Sequence, residues 1–214
     1  MNKKRVNIIC VVIMALTFGA VLCVYPSMPD TIPTHWNVHG QVDGMGPKWS
    51  VFIFVLLPLL VMFGEKLEPK KEGYSRFENV FNIFKLMVTV FTSLMVMVTV
   101  TEVYKPGLVS MNTVMYLSMG AMFALLGNYM PKVKHNYTFG IKTPWTIASE
   151  TVWNKTHRMA GPLWMVGGIV VMAMVFVKDQ NLAFTVSGVV LGIITVIPMV
   201  YSYIEQKREN KPEK

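Results

Sequence analysis

The sequence predicts an all-α integral membrane protein with six transmembrane helices, and three observations carry that prediction. The chain of 214 residues is 53% hydrophobic and 15% charged, with a mean hydropathy of +0.44. A soluble domain carries about 25% charged residues. The apolar residues come in blocks, several of them near the roughly 20 residues a helix needs to cross a hydrocarbon core about 30 Å thick. Lys and Arg gather in the polar segments between alternate blocks, as in cytoplasmic loops of membrane proteins. Lipid leaves no solvent for backbone polar groups, so helices or a closed barrel must span it. The short alternating pattern of barrel strands is absent.

The first block, Val6–Tyr25, follows Met1-Asn2-Lys3-Lys4-Arg5. It outruns the about 7–15 residues of a signal-peptide core, and no small-x-small cleavage site follows, so it reads as an uncleaved signal anchor. Cys10 and Cys23 both lie in it. A helix sets them roughly 20 Å apart, beyond disulfide reach, and packing is their expected role. After a Pro- and Gly-rich stretch, Pro26 to Lys48, comes a short second block, Trp49–Phe63, with Pro58 inside it. A charged link holds Glu65, Lys66, Glu68, Lys70, Lys71, Glu72 and Arg76. The third block is Val80–Val103, the fourth Leu108–Tyr129 beyond a Lys105-Pro106-Gly107 turn. A long polar stretch, Pro131–Gly161, precedes the fifth block, Pro162–Val177. A turn at Lys178–Asn181 leads to the sixth, Leu182–Ile204, and a polar, frayed tail. The whole reads as one polytopic domain in three parts, 1–64, 65–130 and 131–214.

With the N-terminus inside, about 16 of the 20 Lys and Arg fall on inner segments, which predicts both termini in the cytoplasm. Lys85, near the inner end of the third helix, is expected to snorkel. Gly188 and Gly192 in the sixth helix, and Gly120 and Ala124 in the fourth, form small-xxx-small pairs that let helices approach closely. Thr89, Thr92, Ser93 and Thr99 mark a face of the third helix that reads as a helix contact, with a polar pathway as the rival. Met111, Met115, Met119 and Met122 form a row on the fourth helix that reads as packing or lipid contact.

Two polar segments are the candidate sites. The outer loop supplies Pro33, His35, Trp36, Asn37, Gly40 and Asp43. Its prolines and glycines forbid a long helix, and Ile32 and Trp36 predict a folded cap over the bundle. His35, His39 and Asp43 are weak candidates for a metal, since zinc sites want three or four defined ligands. The inner loop supplies Asn136, Tyr137, Gly140, Lys142, Thr143, Pro144, Trp145, Trp153, His157 and Arg158. Thr146 and Ser149 are candidate N-caps for a segment Ser149–Arg158. Tyr137, Trp145 and Trp153 suit the headgroup level, and Lys142 and Arg158 suit lipid phosphates. An interfacial amphipathic helix and a docking surface for a cytoplasmic partner both fit.

The net charge of +8 lies in the connections, without the aromatic-interleaved stripe of a nucleic-acid binder, so no direct nucleic-acid partner is expected. No HExxH, GxSxG, Walker loop or CxxC occurs, so neither catalytic residues nor a cofactor is expected. Glu102 sits near the outer end of the third helix. The membrane centre reads as nearly free of ionisable groups, which weighs against ion-coupled transport.

The run Pro29–Gly44 resembles the signature P-x-x-I-P-x-H-W/F-N-x-x-G of a bacterial membrane domain of unknown function. The runs Asn136-Tyr137-x-x-Gly140-Ile141-Lys142-Thr143-Pro144-Trp145 and Trp153-x-x-x-His157-Arg158-x-x-Gly161 resemble the signature of the SdpI family, named for the immunity protein of the sporulation-delaying toxin. His135 departs from the proline frequent there. The resemblance implies a bacterial plasma-membrane protein that protects its cell from a secreted toxic peptide. It also implies a signalling receptor that draws a cytoplasmic repressor to the membrane. A small transporter or channel, and a metal-dependent membrane enzyme built on His35, His39 and Asp43, are the rival classes.

Overall fold

A computed structural model of the chain describes residues 2–67 and 71–210. Glu68 and Lys70 of the charged link, the side chains of Glu65, Lys71, Glu72 and Arg76, and the end of the tail, 211–214, lie outside the described residues. The elements in order are α1 (Lys3–Val24), β1 (Thr31–Trp36), β2 (Val42–Pro47), α2 (Val51–Phe63), α3 (Lys71–Tyr104), α4 (Met111–Tyr129), α5 (Pro144–Ala148), α6 (Glu150–Ala173) and α7 (Gln180–Glu209). They form two units, residues 1–63 with 82–115 and residues 64–81 with 116–214.

Among the described residues four helical segments are long and apolar enough to cross a membrane: Lys3–Ser27, Phe77–Tyr104, Glu150–Phe176 and Gln180–Glu209. The sequence predicts six. The 13 residues of α2 cover only about 20 Å at 1.5 Å per residue. The 19 residues of α4 suffice in length, but Asn112, Thr113, Ser118 and Asn128 dilute its apolar character.

In the first unit, Asn2 caps α1 by accepting the Lys4 N–H. It ends in a single turn at Tyr25–Ser27, where Pro26 has no N–H to continue the helical ladder. Val6, Cys10, Met14, Thr17 and Val21 form the buried face of α1. Cys10 packs as expected, whereas Cys23 is exposed. On the part of α3 in this unit the buried residues are Asn82, Lys85, Thr89, Thr92, Val96 and Val98. The Thr89 hydroxyl donates to the Lys85 carbonyl, and that of Thr92 to the Val88 and Thr89 carbonyls. These threonines therefore enter a packed face without loose polar groups, in line with the helix-contact reading; Ser93 and Thr99 are half-buried. Lys85 departs from its expectation. It does not reach out to water but is 1% exposed, and its ammonium donates to Asn7 Oδ1 at 2.9 Å. An acceptor on the facing helix replaces the solvent that snorkelling would have found.

In the second unit three expectations change. The helix predicted to begin at Pro162 begins at Glu150 and runs through that proline without a break. Ser149 caps it, accepting the Val152 N–H, so the segment Ser149–Arg158 is the start of α6 rather than a separate interfacial helix. The charged link is helical from Lys71 onward as part of α3. The tail is helical to Glu209, because Glu205, 2% exposed, is held by Lys155 at 2.8 Å and by Arg208.

The small-residue pairs divide. At Gly120 a Cβ would stand 2.6 Å from the Gly168 carbonyl, and at Gly168 one would stand 2.4 Å from the Ala124 nitrogen. Gly127 meets Met165 N at 2.4 Å in the same way. α4 and α6 thus meet backbone to backbone. Gly188 and Gly192 have nothing within 4 Å, so that pair mediates no helix contact among the described residues. Trp164 Nε1 donates to the Ile194 carbonyl at 2.7 Å and ties α6 to α7. The methionine row runs from buried Met111 to half-buried Met115, Met119 and Met122.

Candidate functional sites

The segment between α1 and α2 folds as a β-hairpin, the one departure from all-α architecture among the described residues. β1 and β2 pair antiparallel, with irregular register on either side of His35. Pro33 has no N–H to give a ladder and belongs at such an irregularity. Glycines on β2 let the strands close: a Cβ at Gly44 would stand 2.8 Å from His35 Cβ, and one at Gly46 would stand 2.7 Å from Thr34 Cγ2. The tip is an Asn turn. Asn37 Oδ1 accepts the His39 and Gln41 N–H groups at 2.9 and 3.1 Å, and Gly40 takes φ +74°, a region open to glycine.

The hairpin is anchored at both ends within its unit. Ile32 is buried with Val21, Met28, Val51, Val55 and Val96. At the tip, Asn112 of α4 donates Nδ2–H to the Val38 carbonyl at 2.9 Å. The capping role expected from Ile32 is what the packing shows. The candidates then separate by job. Pro33 is buried, and Asn37 and Gly40 build the turn. His35 and Asp43 are exposed side chains joined across the strands at 2.5 Å, with half-buried Trp36 next in sequence. His39 is exposed. No group of three His, Cys, Asp or Glu side chains placed to hold a metal occurs among the described residues, so His35, His39 and Asp43 form no ligand cluster.

The segment between α4 and α6, residues 133–149, is folded onto the first turns of α6. Trp153 is fully buried and donates Nε1–H to the Val133 carbonyl at 2.8 Å. That burial overturns its reading as a headgroup anchor. His157, one turn on, stacks on the Trp153 ring with centroids 4.1 Å apart. His157 Nδ1 faces the Trp153 carbonyl at 2.9 Å, and Nε2 receives the Ile141 N–H at 2.9 Å. A carbonyl only accepts, so Nδ1 carries the proton and Nε2 is the bare acceptor. The ring is neutral in this arrangement. Gly140, φ +127°, passes so close that a Cβ would stand 2.6 Å from His157 Nε2 and 3.0 Å from Trp153.

The remaining signature residues close the loop. Asn136 Oδ1 accepts the Thr138 and Phe139 N–H groups, while Nδ2 donates to the Lys134 and Phe139 carbonyls. Thr143, rather than Thr146, caps α5, and the two threonines form a reciprocal capping box. The Thr143 hydroxyl also meets Ser202 of α7 at 3.0 Å, and Trp145 meets the Tyr203 ring at 5.1 Å. Lys142 donates to the Tyr137 and Thr138 carbonyls. Tyr137, Lys142, Pro144 and Arg158 face outward. The signature thus divides into a buried scaffold (Asn136, Thr143, Trp153, His157, with Gly140) and an exposed surface. Asn112, Ser202 and Glu205 were missed in the sequence. A polar residue in the first turn of an apolar helix, and an acid opposite Lys155, were the available signals.

Helices of this length and apolarity, with apolar exposed faces, define a multi-pass membrane protein, and comparison with known proteins gives its kinship. Residues 132–202 match the SdpI/YfhL protein family, and residues 12–59 match DUF1648, a domain of unknown function. Immunity protein SdpI of Bacillus subtilis (strain 168) is 24% identical over 205 residues, covering 95% of this chain and 97% of the relative. The chain is thus similar to the SdpI family over its C-terminal third and to DUF1648 near its N-terminus. No solved structure matches it.

Proposed function

We propose that this chain protects its cell from a secreted antimicrobial peptide, with the hairpin as the element the peptide meets. The observation that supports this reading most is the end-to-end alignment with a relative named an immunity protein. The hairpin supports its second half: a recognition element must be held rigid while offering side chains outward. Its base is buried through Ile32 and its tip is tied by Asn112, while His35 and Asp43 project. In this reading six crossings, with α2 and α4 as the short or polar ones, place both termini in the cytoplasm and the hairpin outside, as the Lys and Arg distribution favours.

A signalling role follows the same arrangement. The exposed face of the inner loop, Tyr137, Lys142, Pro144 and Arg158, with half-buried Trp145 beside it, lies inside in this reading and is the surface a cytoplasmic repressor would meet. Peptide binding then shifts the equilibrium between two states that differ in affinity for the peptide. The test is survival of sensitive cells expressing the chain with His35→Ala or Asp43→Asn. Membrane levels unchanged and protection lost is the expected result. Full protection by both variants removes the hairpin from the account.

A further inference from the structure

Seven described cations lie at the end of the second unit where α4 finishes, α6 begins and α7 finishes: Lys207 stands over an aromatic ring, and the other six fall into two groups. Lys155 and Arg208 are taken by the carboxylate of Glu205. Lys132, Lys134, Lys142 and Arg158 are exposed, and none has a carboxylate partner among the described residues. From Tyr129 to Ser149 there is no acidic residue. Of the acids that follow on packed elements, Glu209 accepts the Ser149 hydroxyl, and exposed Glu150 sits in the first turn of α6, where a helix favours negative charge.

The ammonium groups are also positioned. Lys132 stands over the Tyr129 ring at 5.0 Å. Lys142 is drawn to the Tyr137 and Thr138 carbonyls at 3.4 and 3.2 Å. On the facing helix Lys207 stands over Tyr203 at 4.7 Å, and that ring touches Trp145. Aromatic rings paired with cations at the ends of apolar helices mark headgroup depth.

We infer that this end of the unit is a binding surface for anionic phospholipid headgroups, with Lys132, Lys134 and Lys142 as its phosphate-contacting cations. The buried signature residues hold the loop, and the loop holds the cations at the membrane surface. Each basic residue near an anionic surface strengthens binding roughly fivefold, and the attraction weakens as salt rises.

The test uses the full chain in nanodiscs of equal phosphatidylglycerol and phosphatidylcholine, with native mass spectrometry counting the lipids kept on release. The wild type is expected to keep phosphatidylglycerol at least fivefold over phosphatidylcholine, and less so at high salt. Lys132→Gln/Lys134→Gln/Lys142→Gln is expected to lose that preference, and Lys3→Gln/Lys4→Gln to keep it. Because Lys142 also closes the loop, Lys132→Gln/Lys134→Gln is measured alongside and is expected to lose most of it. Equal retention of both lipids by the wild type overturns the inference. So does an unchanged preference in the double variant, which would return this face to a protein partner.

Discussion

His157 receives the backbone N–H of Ile141 at 2.9 Å, sixteen residues earlier in the chain, and this bond ties the loop 133–149 to α6. Both groups are buried. His157→Phe keeps the stacking on Trp153 but leaves the Ile141 N–H without an acceptor. An unsatisfied buried donor costs about 1–3 kcal/mol. The thermal midpoint of the detergent-purified protein is expected to fall. An unchanged midpoint would mean the loop is held elsewhere.

Gly140 supplies an independent check of the same closure. At φ +127°, with a Cβ forced to within 2.6 Å of His157 Nε2, Gly140→Ala meets both backbone strain and a clash. The loss is expected to match or exceed that of His157→Phe. Limited proteolysis between Lys134 and Lys142 should speed up, and cleavage at the wild-type rate would contradict the packing.

The seam between α4 and α6 predicts a contrast within one residue type. Gly168→Ala puts a methyl group 2.4 Å from the Ala124 nitrogen, whereas Gly188 and Gly192 face open space. Overpacking costs about 1–3 kcal/mol. Gly168→Ala is therefore expected to lower stability, and Gly188→Ala and Gly192→Ala to leave it level or raise it slightly. Equal effects at the three positions would refute the seam.

Lys85 and Asn7 form the buried polar contact between α1 and α3. Hydrogen bonds to charged groups contribute about 1.5–3 kcal/mol. A double-mutant cycle with Lys85→Met and Asn7→Leu should return a coupling of that order. Asn7→Leu alone removes an acceptor from a buried ammonium, so Lys85→Met should partly offset its cost. Additive effects would show that the two side chains act separately.

The helices were legible wherever apolar length and a local cap both spoke. α1 follows from the Val6–Tyr25 block, and Ser149 marks the start of α6 even though Pro162 suggested a later one. The proline misled because it removes a single helical bond, while Val152, Trp153 and Ala160 pack on the same helix. The hairpin was legible only as a compact cap: its pairing rests on Gly44 and Gly46, which carry no alternation of apolar side chains to read. The site residues were visible as a signature, but not their division into scaffold and surface. Trp153 looks like an interface anchor in sequence and is a core residue because Val133, Gly140 and His157 converge on it from both sides in the chain. Lys85 was misplaced for a similar reason, since its partner Asn7 lies on another helix.

Survival under toxin tests the central claim most directly. A bacterium sensitive to the sporulation-delaying peptide is given this chain or an empty vector, membrane expression is verified, and survival is scored across peptide concentrations. The account predicts survival with the chain well above the vector, lost with His35→Ala and Asp43→Asn at equal expression. Death at the vector's concentration, with the protein present in the membrane, would contradict protection against this peptide.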